Sequence, residues 1–420
     1  MWSIYAQRVI IRRWLTVPLL ASLASLALAP TCALAAPSVP VSFHAWHTSA
    51  DLRSGQFDNG VRVTQVGDRT ALTLDRRTKV GSWTSPVWEP SSTIKDLVAS
   101  WQATTPADSW TQTLLSVRVG DHWSQWYAMG TWALTTSAIQ RTSINHQTDA
   151  DGTIYTDTYV PGPNGTPTAY RLRVTLHGSR TAQPAVYQLA ATTTSLSGAP
   201  LSTSATTMRQ TLNLPVPLYS QETHTGEFPA FGGGGEVWCS PTSTAMVVAY
   251  WEKGPSSREL ATLSADPAFD AHGRTDPQVV WAAMHTWDAG YKGTGNWPFN
   301  TAYASAYGLD GSVRQYTSLR DVEKWILRGV PVVASIAWNN SDATTDNDLD
   351  GAPIPKSGGH LLVVSGFTDQ GDVIVADPAA PTNATVRREY RRAQFERDWL
   401  NASTGSTYVI QPVDSRHTSR

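Results

Sequence analysis

The chain changes texture once, near residue 200, and that change limits what it can fold into more than any other feature. From Ser38 to Ser197 short segments run in alternating patterns: VRVTQV, TALTLD, LVASWQA, TLLSVRV, QWYAMGTWAL, YRLRVTL and VYQLAAT. The turn-forming stretches FDNG, DADG and GPNG separate them, with no long helical pattern between. Many short strands at this spacing predict an all-β sandwich, jelly-roll-like in organisation. Residues 195–210 are polar and small, the composition of a connector. Beyond them PTSTAMVVAYWEKG, DPQVVWAAMHTWDAG and SLRDVEKWILRG read as helices, while PVVASIAW, HLLVVSGF and DVIVADP read as buried strands. Helices first and strands later predict an α+β domain. The expected units are a β-sandwich over 38–197, a connector over 198–213 and an α+β domain over 214–412. The 420 residues suffice for two such cores.

The first 35 residues read as an export signal. Arg8, Arg12 and Arg13 form a basic start, WLTVPLLASLASLALA is the apolar run, and Ala33 and Ala35 supply an Ala-x-Ala cleavage pattern. No later stretch approaches the roughly 18 to 20 apolar residues of a spanning helix. The expected protein is therefore exported, extracellular and without a membrane span. Removing that segment leaves 29 basic against 34 acidic residues, and the whole chain carries −2. Such a balance argues against nucleic-acid binding through bulk charge.

Of the two cysteines, Cys32 lies in the signal and Cys239 remains. A mature chain with one cysteine forms no internal disulfide. A lone thiol in an oxidising compartment is a liability unless buried or used. Its setting, GGGGEVWCSPTSTAMVVAYW, favours use. Pro241 suits the first turn of a helix, Ala245, Met246, Val248 and Ala249 give it an apolar face, and Lys253-Gly254-Pro255 stops it. Cys239 then sits at a helix N-terminus, where free N–H groups and the macrodipole favour the thiolate. The glycines ahead of it allow close approach of backbone or substrate.

A thiolate nucleophile needs a base, and the base an orienting group. In SGGHLLVVSGFTDQGDVIVADP, His360 opens a strand, TDQGD turns, and Asp377 ends the returning strand. A hairpin brings its two outer ends together, so His360 and Asp377 are expected neighbours. An oxyanion needs donors, and the Cys239 N–H and the amide of Gln221 in VPLYSQ are the candidates.

VPLYSQ, WCSPTSTAMVVAYW and GGHLLVVSGF followed by GDVIVADP together resemble cysteine peptidase family 39 in its broad sense. The likeness lies in the PxYSQ glutamine, the Trp-Cys-x-Pro helix start and an Asp-Pro some 17 residues after the histidine. It spans about 214–410. The resemblance implies a papain-like fold with Gln221 in the oxyanion hole, Cys239 as nucleophile, His360 as general base and acid, and Asp377 as its orienter. Ser240 stands where glycine is common in that family, and the glycine loop lengthens the Gln221–Cys239 spacing. No cofactor and no metal are expected, and the expected partner is a peptide or protein substrate.

Other readings carry their own expectations. DNDLDG at 346–351 matches the first half of a calcium loop but offers Ser357 where a bidentate glutamate belongs, so a solvated acidic loop is expected. Trp123, Trp126 and Trp132 are candidates for a carbohydrate platform through which the N-terminal domain would hold a cell-surface polymer, against the commoner fate of core packing. Asp276 is expected to cap a helix. An acyl transferase would use the same triad, and a catalytically inactive binding protein would keep Cys239 buried and unreactive.

Overall fold

The structure is a computed structural model and describes residues 40–196, 202–264, 266, 275–342 and 346–413. The expected export signal, with Cys32, lies outside the described residues. No helix among the described residues is long and apolar enough to cross a membrane.

The N-terminal half is two antiparallel sheets. One contains eight strands, with Asp96–Thr104 and Ala185–Thr194 at its centre and Val41–Trp46 paired to the latter. The other contains six, built on Trp110–Val119 and Ala169–His177 in register from Trp110↔His177 to Arg118↔Ala169. Rings meet between the sheets: Trp46 of the first lies edge-on to Trp83 and Tyr170 of the second, and Tyr127 packs on Tyr159. The sheets therefore face each other across an aromatic layer, which is what the alternating pattern requires of their inner faces.

The C-terminal half collects helices Cys239–Tyr250, Pro277–Thr286 and Trp297–Ala306 ahead of a seven-stranded antiparallel sheet. Its main path runs Leu309–Gln315, Ser406–Pro412, Val332–Asn339, Lys356–Phe367, Val373–Ala376, Arg387–Tyr390. Cys239–Tyr250 packs on Lys356–Phe367, and Ser240 through Val248 are all buried. A helix apolar or small on every side has to lie inside the protein. Cys239 is thereby fixed by the core itself.

The two halves share one continuous hydrophobic core. Phe299, on Trp297–Ala306, wedges between Trp101 and Trp132 of the N-terminal half, with ring centroids 6.1 and 5.6 Å away. Arg141, 1% exposed, donates to Ala133 O and Leu134 O in its own half and to Trp287 O and Met284 O in the other. Strand Leu309–Gln315 lies along the N-terminal sheet: Val313 N donates to Ser100 Oγ, Gln315 N to Thr192 Oγ1, and Gln315 Nε2 to Asp96. Its outer edge is thus covered rather than left open. The described part of the connector is docked as well. Thr206 and Thr207 bond the buried Glu323 carboxylate, which also pairs with Arg392 at 2.7 Å, and Leu212–Asn213 pairs with Gly366–Phe367.

Candidate active site

Cys239 opens its helix with Trp238 at the cap position and no side-chain cap. The first-turn N–H groups are therefore not consumed by a capping side chain, and that of Ser240 is directed at the Cys239 thiol together with the N–H of Leu361. The thiol is partly open to solvent. The Ser240 hydroxyl is tied to Tyr408 Oη at 2.9 Å, so the departure from glycine is absorbed by a buried hydrogen bond. Ser243 Oγ donates to Leu361 O and staples the helix to the strand that carries His360.

The glycine run is a packing device. A Cβ on Gly235 would sit 2.2 Å from Gln221 O and 2.5 Å from His224 C. Only glycine lets the turn Gly235–Val237 lie against the turn Glu222–His224. That contact brings Gln221 to the start of the Cys239 helix, where its Nε2 donates to Glu236 O at 2.9 Å. The Gln221 backbone N–H donates to Pro378 O, one residue after Asp377. Gln221 is thereby suspended between the two ends of the site. Its second N–H is directed to Glu222 Oε1 at 3.1 Å, and its Oε1 is buried without a partner among the described residues.

His360 and Asp377 meet as the hairpin predicts. Strands Lys356–Phe367 and Val373–Ala376 pair antiparallel, and His360 Nε2 lies 2.8 Å from Asp377 Oδ1. With Nε2 taken, the nitrogen left for the thiol is Nδ1, and His360 and Cys239 are hydrogen-bonded. Asp377 is fully buried and held from three sides: Oδ1 also accepts from Ala379 N at 3.0 Å, and Oδ2 accepts from Tyr390 Oη at 2.6 Å. Trp338 stands edge-on to the imidazole at 5.3 Å.

The electrostatics follow from these contacts. Burial pushes the Cys239 thiol up, but the hydrogen bond and charge of His360 with the Leu361 and Ser240 N–H groups outweigh it and hold the thiol below its ordinary value. Burial pulls His360 down, yet Asp377 and then Cys239 carry it up to about 10. Burial raises Asp377, and the His360 charge, the Tyr390 hydroxyl and the Ala379 N–H bring it net below the usual carboxylate range. Opposed shifts on neighbouring groups favour passage of the thiol proton to the imidazole.

All four residues read from the sequence thus come together. Tyr390 and Trp338 were not read, because their part depends on sheet register and on which ring covers the imidazole. Nor was Tyr291. Burial raises its hydroxyl, and the charge of Cys239 raises it further, so the two lie within electrostatic range of each other. Its loop is knitted by Asp288, which accepts from Gly290 N, Tyr291 N and Asn296 Nδ2, and from Ser143 N of the N-terminal half. A Cβ on Gly290 would stand 2.1 Å from Ser143 O. The N-terminal half therefore supports the loop that carries Tyr291.

Two other expectations are corrected. Asp276 takes the cap position of Pro277–Thr286 but its side chain does not cap; its φ is 47° and its Oδ2 accepts from Asn383 Nδ2 at 2.7 Å. The acidic loop is solvated as expected at Asp346 and Asp350, and Arg397 pairs with Asp346 at 2.7 Å and with Asp348 at 3.3 Å. The three tryptophans form no common open face. Trp132 is buried in the core. Arg171 lies over Trp123 and Trp126, and Arg173 over Trp126.

Two family models match the chain in succession: Peptidase C39 N-terminal domain over residues 42–194 and Peptidase_C39 like family over residues 213–407. A crystal structure described as a C39-like peptidase from Bacillus anthracis is similar over 49% of this chain and 100% of that one, at 16% identity and a TM-score of 0.31, too slight a likeness to argue from. No curated protein matches.

Proposed function

The chain belongs to the C39-like peptidase family, and from that membership we propose that it is a secreted cysteine peptidase acting through Cys239, His360 and Asp377. The observation that carries this reading is His360 held at 2.8 Å by Asp377 and interacting with the Cys239 thiol at the helix start. The export signal read in residues 1–35 supports the location. A helix bearing the cysteine, packed on an antiparallel sheet bearing histidine and aspartate, supports a papain-like architecture for 214–412. The facing sheets support a jelly-roll-like sandwich for 38–197. The N-terminal unit serves as a brace for the loop that carries Tyr291; a surface polymer as its ligand finds no open tryptophan platform in support.

With the thiol lowered and His360 raised, transfer of the thiol proton to the imidazole is favoured. The thiolate attacks the carbonyl carbon of a bound amide and forms a C–S bond. The oxygen takes the displaced electron pair and is met by the Cys239 N–H and by the Gln221 N–H once it turns from Glu222. Its collapse breaks the C–N bond as His360 gives its proton to the leaving amine. His360 then takes a proton from water, whose oxygen attacks the thioester carbon; collapse breaks the C–S bond and releases the carboxylic acid and the Cys239 sulfur, which shares the proton held by His360. Asp377, fixed by Tyr390 and Ala379, holds the imidazole in line throughout. Hydrolysis of a peptide library, with release of free amine and no incorporation of an added amine, tests this against acyl transfer.

Gln221 presents a sharper test. Gln221→Ala is expected to lower kcat about 100-fold with little change in KM, the usual cost of one oxyanion donor. Glu222→Ala, which frees the N–H now directed to its carboxylate, is expected to leave kcat at or above the wild-type value. A Glu222→Ala loss as large as that of Gln221→Ala would show that Glu222 positions the amide rather than competing for it.

A further inference from the structure

Between the two halves, away from the cysteine, lies a cleft of about 610 Å³ whose walls include Phe43, Arg69, Asp310, Arg314, Trp325 and Arg328. That volume is in the range of ligand sites. Arg69 is paired with Asp310 at 2.8 Å and with Gln102 at 2.6 Å. Arg314 bonds neutral acceptors, Ser312 Oγ at 3.1 Å and Tyr316, and feels the Asp310 carboxylate, already paired with Arg69, at longer range. Its guanidinium lies 4.0 Å from the centre of the Phe43 ring and 5.3 Å from that of Trp325, with Arg328 at 5.3 Å over the same indole. Among the described residues neither Arg314 nor Arg328 has a carboxylate within ion-pair distance. Burial works most against the Arg314 charge and Arg328 adds to it, while Tyr316 and Asp310 favour it, leaving the guanidinium net below its ordinary value. The cleft thus holds three arginines and one carboxylate on a chain whose overall charge is −2.

Arg314 and Arg328 lie over one indole and share with Arg69 the single carboxylate of the cleft, Asp310, so the cleft carries an excess of positive charge that an anion from outside would balance. A guanidinium offers a planar fork that a carboxylate fits with two hydrogen bonds, and aromatic faces on either side suit the methylene stem behind it. In the sheet, two strands lie between Leu309–Gln315, which carries Arg314, and Lys356–Phe367, which carries His360. Three strand spacings are roughly 14 Å. A peptide reaching from one place to the other needs at least about four extended residues.

We propose that this cleft is a second binding site, for an acidic segment of the peptide substrate, held by Arg314 and Arg328 at least four residues from the bond to be cut. The site rests on the peptidase reading for its choice of a peptide, but its binding is measured without turnover. It gives the enzyme a preference for substrates with glutamate or aspartate well outside the reacting bond.

The test uses the full chain carrying Cys239→Ala and follows tryptophan fluorescence on titration with hexaglutamate, hexalysine and inorganic polyphosphate. Saturable binding of hexaglutamate that weakens with salt is expected, with none for hexalysine. Arg314→Gln combined with Arg328→Gln should weaken it about tenfold or more. Arg328→Glu, at an exposed position, gives the same loss should the double variant not fold. Failure to bind hexaglutamate, binding unaffected by these substitutions, or binding of polyphosphate alone overturns the proposal. A chain that binds hexaglutamate as described but whose wild-type form cleaves no peptide keeps the anion site and refutes the peptidase reading instead.

Discussion

His360→Ala is expected to lower kcat/KM for peptide hydrolysis by about 1,000-fold or more, an effect the size of losing a triad member. The loss has two sources. Without the imidazole the Cys239 thiol keeps the burial that raises its pKa and loses the hydrogen bond and charge that lower it, so the nucleophile is protonated at neutral pH. The leaving amine also loses its proton donor. Because His360 is 2% exposed and its removal leaves Asp377 buried, a folding defect has to be separated from a chemical one. Asp377→Asn does this: it keeps the shape and the Tyr390 contact but removes the charge that raises His360. It should cost at least tenfold in activity while bringing the His360 pKa down, a change visible by NMR titration. Activity of His360→Ala within tenfold of wild type would exclude His360 as the base.

Phe299→Ala is expected to destabilise the protein by about 3 to 5 kcal/mol, the range for deleting a fully buried aromatic ring. Phe299 belongs to the cysteine half yet packs between Trp101 and Trp132 of the other, and Gly130 lies close enough that a Cβ there would stand 2.9 Å from its ring. The cavity therefore opens at the seam. Unfolding followed in denaturant by tryptophan fluorescence and by far-ultraviolet circular dichroism should give one coincident transition in both proteins, displaced to lower denaturant in the variant. A shift below about 1 kcal/mol, or two separate transitions in the wild type, would contradict a single shared core.

The chemistry was more legible in the sequence than the architecture. Cys239 could be placed at a helix start because Pro241 and the apolar run after it are local signals, and His360 met Asp377 because a hairpin closes on itself. What joins the halves had no such signature. Strands Asp96–Thr104 and Ala185–Thr194 are buried almost throughout. One face packs inside the N-terminal half, and the other, through Ser100, Thr192 and Asp96, meets Leu309–Gln315. Nothing in their small polar residues marks that second contact in the sequence. Arg141 similarly looks like any surface arginine until four carbonyls from two halves converge on it. The tryptophans stayed open between platform and core for the same reason: whether a ring stacks on a ligand, on the core or under Arg171 is a matter of partners distant in sequence.

The central claim is a thiolate at Cys239 sustained by an imidazolium at His360, and the pH dependence of iodoacetamide labelling of Cys239 tests it most directly. The structure predicts rapid labelling that persists below pH 7, well under the ordinary thiol range near ~8.5, and that disappears in His360→Ala. Labelling of wild type and variant alike with an ordinary thiol profile, or no labelling of either, would contradict it.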